Sequence, residues 1–229
     1  MMPEESEAPV QTRTAIERML EQAFSRPLPG RPAQDRMLSD FRRRREAAPQ
    51  EGRAWRPAAV LVLLYPDEEG DLAFPLVERS SDVGHHRGEI ALPGGGIEAG
   101  ETAAEAALRE AREELCLAPE AAAGIGLYGE LTPLRVPSGF EIFPFVGSLA
   151  ARPALAPRRG EIEDLFEVKL GALLDPATTD EEDRWYEGEE WRVPYYSLGG
   201  RKVWGATAMI LAELAAMIAA ELAAHPASG

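Results

Sequence analysis

Residues 92–117, LPGGGIEAGETAAEAALREAREELCL, constrain the fold of this chain more than any other stretch. Pro93 and the glycines Gly94, Gly95 and Gly96 form a loop, and Gly100 delays the start of the helix that follows, since glycine and proline carry the largest helix penalties. That helical segment carries Glu110, Glu113 and Glu114. At about 100° of rotation per residue, spacings of i, i+3 and i+4 gather the three carboxylates on one face. Ala104, Leu108, Ala111 and Leu115 fall roughly opposite, which predicts that one side packs while the other collects negative charge. Like charges at Glu110 and Glu114 cost roughly a few tenths of a kcal/mol in an isolated helix. A bound cation reverses that sign.

Such a loop and helix need a core to pack on, and 229 residues with 45% hydrophobic content supply one domain plus extensions. A net charge of −15 argues against a general nucleic-acid or anionic-membrane binder. An acidic protein with a phosphate ligand must recruit metal or place its arginines locally. The single cysteine, Cys116, excludes an internal disulfide. The N-terminal MMPEESEAPV lacks the basic and apolar regions of a signal peptide, so a cytoplasmic location is the expectation. The apolar run from Val203 to Ala224 approaches membrane-spanning length, but it is alanine-rich and interrupted by Glu213 and Glu221. It reads as a packed C-terminal helix.

Along the chain, Thr14 and Glu17 fit a capping box ahead of Ile16, Met19, Leu20, Ala23 and Phe24 at helical spacing. PLPGRP breaks this helix, and a second helical piece is expected from Ala33 to Ala47. Within it, Arg42, Arg43, Arg44 and Arg45 read as a solvated helix end that complements the dipole, with a phosphate or partner contact as the alternative. From Trp55 the texture becomes strand: Pro57 to Tyr65 and Leu72 to Arg79 flank the turn-like PDEEGD, and Pro75 suggests an edge position or a bulge. Gly126 to Leu134 and Phe140 to Leu149 are strand-like again. Glu161 to Val168 reads as a strand or helix start, followed by a turn at LGALLD. The acidic stretch Asp180 to Glu190 is expected to be an exposed loop, with Trp191 to Tyr196 and Lys202 to Trp204 finishing the sheet. The sum is a mixed α+β domain over residues 55–229, preceded by a helical extension over residues 1–54.

Generic motifs explain little. Gly94, Gly96 and Ala99 nominally fit G-x-G-x-x-A, but the delay at Gly100 argues against a dinucleotide fingerprint. No Gly-Lys-Ser/Thr is present for a P-loop. His85, His86 and His225 lack the H-E-x-x-H spacing of a zinc hydrolase and read as structural or exposed.

A specific pattern does fit. Five residues separate Gly95 from Glu101, seven more lead to Arg109, and the run continues Glu110-Ala111-Arg112-Glu113-Glu114-Leu115-Cys116-Leu117. This closely resembles the Nudix box, G-x5-E-x7-R-E-U-x-E-E-x-G-U, where U is aliphatic. One departure is Cys116 at the last glycine, a position that often needs a left-handed backbone, so a differently ended helix is expected. The resemblance implies a Nudix α/β/α sandwich with a mixed sheet. It also implies that Glu110, Glu113 and Glu114, with the Gly95 carbonyl, hold magnesium or manganese. By the same resemblance Arg109 and Glu101 hold the loop against the helix and orient Glu110. Such a set suits cleavage of a diphosphate, where clustered cations matter more than a nucleophilic side chain.

A second resemblance precedes the box. Arg79-Ser80-Ser81, Gly88 and Leu92-Pro93-Gly94-Gly95 are similar to the stretch R-S-S-x2-R-x3-G-x3-F-P-G-G of members acting on coenzyme A, with Leu92 for phenylalanine and Gly84 at the internal arginine position, Arg87 lying nearby. Further matches are Ser138 to Phe140, Pro144 to Gly147, Glu161 to Pro176, and Val203 to Thr207. This implies hydrolysis of coenzyme A to 3′,5′-ADP and 4′-phosphopantetheine, with Arg79, Ser80 and Ser81 at the substrate and Glu110 or Glu161 as the base that activates water. Other nucleoside diphosphate derivatives, nucleoside triphosphates and a non-catalytic sensing role are the competing readings. No nucleic-acid or membrane partner is expected, and a homodimer stays open.

Overall fold

The computed structural model describes residues 15–46, 54–80, 88–186 and 188–225. Its centre is strand β1 (Arg56–Pro66), whose residues 58–65 are nearly all buried because both faces are covered. Side chains alternate across a strand, so the two faces of β1 feed two cores. Ala59, Leu61, Leu63 and Tyr65 lie in one, Val62 and Leu64 in the other.

One edge of β1 pairs in parallel with β7 (Phe140–Ser148), from Arg56↔Phe140 to Leu64↔Ser148. The other edge is shared. Its first part pairs with the glycine strand β4 (Gly94–Gly96), and its end pairs with β2 (Leu72–Arg79). The sheet runs β3-β2-β1-β7-β5, where β3 is Ile90–Ala91 and β5 is Gly126–Glu130; β6 (Leu134–Arg135) joins β7, and β8 (Ile162–Lys169) joins β2. Pro75 falls between the β2 residues paired with β1 and those paired with β3, a local edge where its missing N–H is tolerated.

Helix α4 (Ala103–Glu114) covers one face through Ala106, Ala107, Ala111 and the following Leu115. The opposite face is covered by α7 (Gly205–Ala224) with α1 (Ala15–Phe24), α2 (Arg31–Gln34) and the 3-10 turn Asp35–Met37. This is the expected α/β/α sandwich. The helix α7 is long and apolar enough to cross a bilayer, but here it is the core helix.

Several expectations change. The piece from Ala33 to Ala47 is interrupted: after the 3-10 turn Leu38 becomes extended, which seats Met37 and Leu38 in the core before α3 (Asp40–Glu46) begins. Arg42 is buried, not solvated: it donates to the Arg135 carbonyl and lies 2.8 Å from Met209 Sδ. The turn LGALLD contains a short helix, α6 (Leu170–Leu174), which follows α5 (Pro119–Ala123) in chain order. The acidic stretch is not a loop. Thr179–Tyr186 forms β9, antiparallel to β10 (Glu189–Leu198), which pairs with β11 (Arg201–Trp204) in a separate sheet. Opposite charges explain why it is ordered: Arg192 meets Glu181 (2.6 Å) and Asp183 (2.7 Å), and Lys202 meets Glu182. Trp191 to Tyr196 and Lys202 to Trp204 are strands as expected, but of this second sheet.

The N-terminal helices share the main core. Ile16, Leu20, Ala23, Met37 and Leu38 pack in the same cluster as α7. A fully buried Glu213 on α7 accepts from Gly30 N (3.1 Å), Gln34 Nε2 (2.8 Å), Thr132 N (3.1 Å) and Thr132 Oγ1 (2.6 Å). The proposed capping residue Thr14, and His85 and His86, lie outside the described residues, whereas His225 pairs with Glu221 (2.7 Å).

Candidate active site

The start of α4 is fixed by its sequence. Thr102 caps it: its side chain accepts from Glu105 N (3.2 Å), while Glu105 Oε2 accepts from Thr102 N (2.8 Å). The preceding turn passes through Gly100 at φ +85°, a left-handed backbone that glycine adopts without strain. The far end closes as a Schellman motif: Cys116 N donates to Glu113 O (3.3 Å) and Leu117 N to Arg112 O (3.0 Å). Cys116 itself adopts φ +50°, so the helix ends as a glycine would end it, contrary to the expected alternative ending. The hydrogen bonds formed only in the left-handed turn outweigh the Cβ strain.

The buried side of α4 also departs from expectation. Ala106, Ala107, Ala111, Glu114 and Leu115 are buried, while Ala104 and Leu108 are only half-buried. The carboxylate face therefore adjoins the packed face. Glu114 points inward, 1% exposed, where Gly94 N donates to its Oε2 (2.9 Å). Burial pushes its carboxyl up to about 7, opposed by the Gly94 hydrogen bond and by Arg79, whose guanidinium is 3.6 Å away.

Two glycines make this closeness achievable. A Cβ on Gly94 would come within 3.0 Å of the Ala59 carbonyl and Val60, and one on Gly95 within 3.0 Å of the Glu110 carboxylate. The loop thus lies against both β1 and Glu110. Arg109 ties the parts together: Nε and one terminal nitrogen bond Glu101 (2.8 and 3.0 Å), the same terminal nitrogen reaches Gly96 O (3.1 Å), and the other bonds Glu110 (2.8 Å). The Arg109 hydrogen bonds hold the Glu101 carboxyl below its ordinary value. These bonds join the glycine loop to the helix.

Glu113 is turned to Arg158, which approaches Glu113 (2.8 Å) and Glu161 (3.3 Å) with the same nitrogen. Glu161, from a different segment, is thereby brought beside the helix carboxylates. Ser80 N donates to the Glu161 carbonyl (2.9 Å) and Ser80 is buried, while Ser81 lies outside the described residues. Arg158 was not singled out in the sequence; its only signal is its place three residues before Glu161. Among the described residues, the carboxylate trio with oxygens all within 4.8 Å of one another is Asp67, Glu69 and Asp71 on the β1–β2 turn, tied to Lys169. Glu110, Glu113 and Glu114 are more spread, each facing a different arginine.

Residues 55–191 match the sequence model of a family described as NUDIX domain. An uncharacterised Nudix hydrolase, NudL, of Pectobacterium atrosepticum is 35% identical over 164 residues, 71% of this chain and 83% of that protein. Nudix hydrolase 15, mitochondrial, of Arabidopsis thaliana is 32% identical over 167 residues, 70% of this chain and 58% of that one. Among solved structures, a Nudix hydrolase from M. smegmatis, RenU, is similar at 25% identity with a TM-score of 0.43, covering 52% of this chain and 73% of that one.

Proposed function

The chain belongs to the Nudix hydrolase family, and from that premise we propose that it cleaves the diphosphate of coenzyme A or a close derivative, releasing 3′,5′-ADP and 4′-phosphopantetheine. The observation that carries the hydrolytic reading is Glu114, a carboxylate nearly sealed from water and set beside Glu110 and Glu113. A buried carboxylate with incomplete compensation is costly unless a cation joins it. Hard carboxylate oxygens at partial exposure suit magnesium or manganese. Glu110, Glu113, Glu114 and the Gly95 carbonyl would hold the ions. When bound, they supply a Lewis acid for the phosphoryl oxygens and lower the pKa of water.

The chain's own residues do the rest. Arg109 fixes Glu110 against the loop, and Glu101 fixes Arg109. Arg79, at the end of β2 and beside Glu114, would meet a phosphate of the substrate. Glu110 or Glu161 would take the proton of the attacking water, which adds to phosphorus as the bridging P–O bond breaks and the leaving phosphate departs as an anion. The coenzyme A assignment is supported by the run from Arg79 and Ser80 through Gly88 to the loop. At its described ends, Gly88 N donates to Arg79 O (3.0 Å) and Arg79 N to Glu89 O (3.1 Å).

The test is product identification by mass spectrometry with magnesium or manganese, offering coenzyme A beside ADP-ribose and nucleoside triphosphates. Coenzyme A is expected to give the two products at the highest kcat/KM. Preferred cleavage of ADP-ribose or a triphosphate would replace the substrate assignment, and no cleavage of any diphosphate would overturn the hydrolytic one.

A further inference from the structure

We propose that Arg158 is a built-in cation that, paired with Glu113 and Glu161, competes with divalent ions for Glu113 and so sets the ion affinity of the site. This rests on the reading of α4 as the ion-binding helix.

Three guanidinium groups attend the carboxylates, and they are held differently. Arg109 chelates Glu101 through two nitrogens, also bonds Gly96 O and Glu110, and its side chain is only 22% exposed. It is locked chiefly by Glu101 and the Gly96 carbonyl, which no ion would need to displace. Arg79 stands 3.6 Å from Glu114, beyond hydrogen-bond reach. Arg158 alone uses one nitrogen to bridge two carboxylates from separate segments, at 2.8 and 3.3 Å, and its side chain is 42% exposed. One positive atom between oxygens of Glu113 and Glu161 is the arrangement a cation at that spot would take.

The backbone makes such an exchange cheap. Arg158 N donates to Glu114 O (3.0 Å), and Arg158 O accepts from Ile162 N (3.0 Å). The main chain at Arg158 is therefore pinned to the end of α4 and the start of β8, so only the side chain need swing away. Two partly exposed ion pairs hold it, and pairs of that kind contribute little to stability. A divalent ion at carboxylates outcompetes a single guanidinium of that strength. The released arginine stays tethered at the rim, where an anionic diphosphate would meet it.

Titration of the full chain with Mn2+ alone, reading free Mn2+ by its paramagnetic resonance signal, tests the competition without turnover. Arg158→Ala is expected to bind Mn2+ on the order of fivefold more tightly than the unmodified chain, with Arg158→Lys between them. In a Glu113→Gln background the gain from Arg158→Ala should shrink towards nothing. Unchanged or weaker Mn2+ binding by Arg158→Ala overturns the proposal. If Glu113→Gln and Glu114→Gln both bind Mn2+ like the unmodified chain, the ion-binding reading of α4 falls and the proposal with it. Weakened binding by Glu114→Gln beside unchanged binding by Arg158→Ala overturns the proposal alone.

Discussion

At Cys116 the backbone sits at φ +50°, in the left-handed region that costs a residue with a Cβ roughly 1–2 kcal/mol relative to glycine. Part of that is returned because glycine leaves the unfolded chain freer. Cys116→Gly should therefore stabilise the protein by about 1 kcal/mol, raising the melting temperature by roughly 2–4 °C. Turnover should stay unchanged, since the side chain is exposed and the Schellman hydrogen bonds that end the helix come from the backbone. A lower melting temperature would show that the turn is not strained. Glu114 carries the opposite kind of cost. Its carboxyl, raised from 4.5 to about 7 on folding, favours the native state fully below pH 4.5, and that contribution is lost as pH rises through about 7. Ionised, it costs on the order of 3 kcal/mol. With EDTA present, Glu114→Gln should melt higher than the unmodified chain at pH 8, the gap closing towards pH 5. With magnesium, its turnover should fall by at least about a hundredfold. A pH-independent gap would remove burial as the cause. The spacing of Glu110, Glu113 and Glu114 was plain in the sequence, but the depth of Glu114 was not, because it depends on Gly94 and β1 coming from elsewhere.

The loop β4 and helix α4 act as one element, and the joint between them is Gly95. Its φ is not left-handed, so an alanine there is tolerated by the backbone; the obstacle is the Glu110 carboxylate within 3.0 Å of the new Cβ. Gly95→Ala should push Glu110 off Arg109 and cut kcat roughly a hundredfold, the usual consequence of misplacing a reacting group by about 1 Å, with the melting temperature little changed. Steady-state kinetics beside calorimetry checks this. Unaltered kcat would mean that the loop yields and Glu110 stays. Local pattern served this element well, since caps, glycines and charges all act within a few residues. The same approach failed at β9, where Asp180 to Glu190 looks like solvent-facing loop until Arg192 and Lys202 from β10 and β11 are set across from it. Charge neutralised by a strand not yet placed is invisible to a reading along the chain. The break in the predicted second helix has a similar origin, because Met37 and Leu38 leave the helix to reach a core built by α7.

At the scale of the whole molecule, the three layers depend on contacts between residues far apart in sequence. The helices before residue 47 read as an extension, yet α1 and α2 complete the cover of α7, and Glu213 joins Gly30, Gln34 and Thr132 in one buried network. Glu213 receives four donors at full burial, so its oxygens are satisfied; removing it would leave those donors facing a void. Glu213→Ala should destabilise the protein by about 3 kcal/mol or more, read as a fall in the denaturation midpoint at unchanged m-value. Deleting residues 1–46 should do more, since it bares the apolar side of α7 that Ile16, Leu20, Ala23, Met37 and Leu38 now cover. An exposed strip of that kind favours aggregation over a smaller folded domain. The remaining chain, residues 47–229, is thus expected to be insoluble or molten although it keeps every proposed active-site residue. A soluble fragment that melts cooperatively and retains hydrolytic activity would show that the catalytic sandwich closes without its N-terminal helices, and that the Glu213 network only fastens an appendage to it.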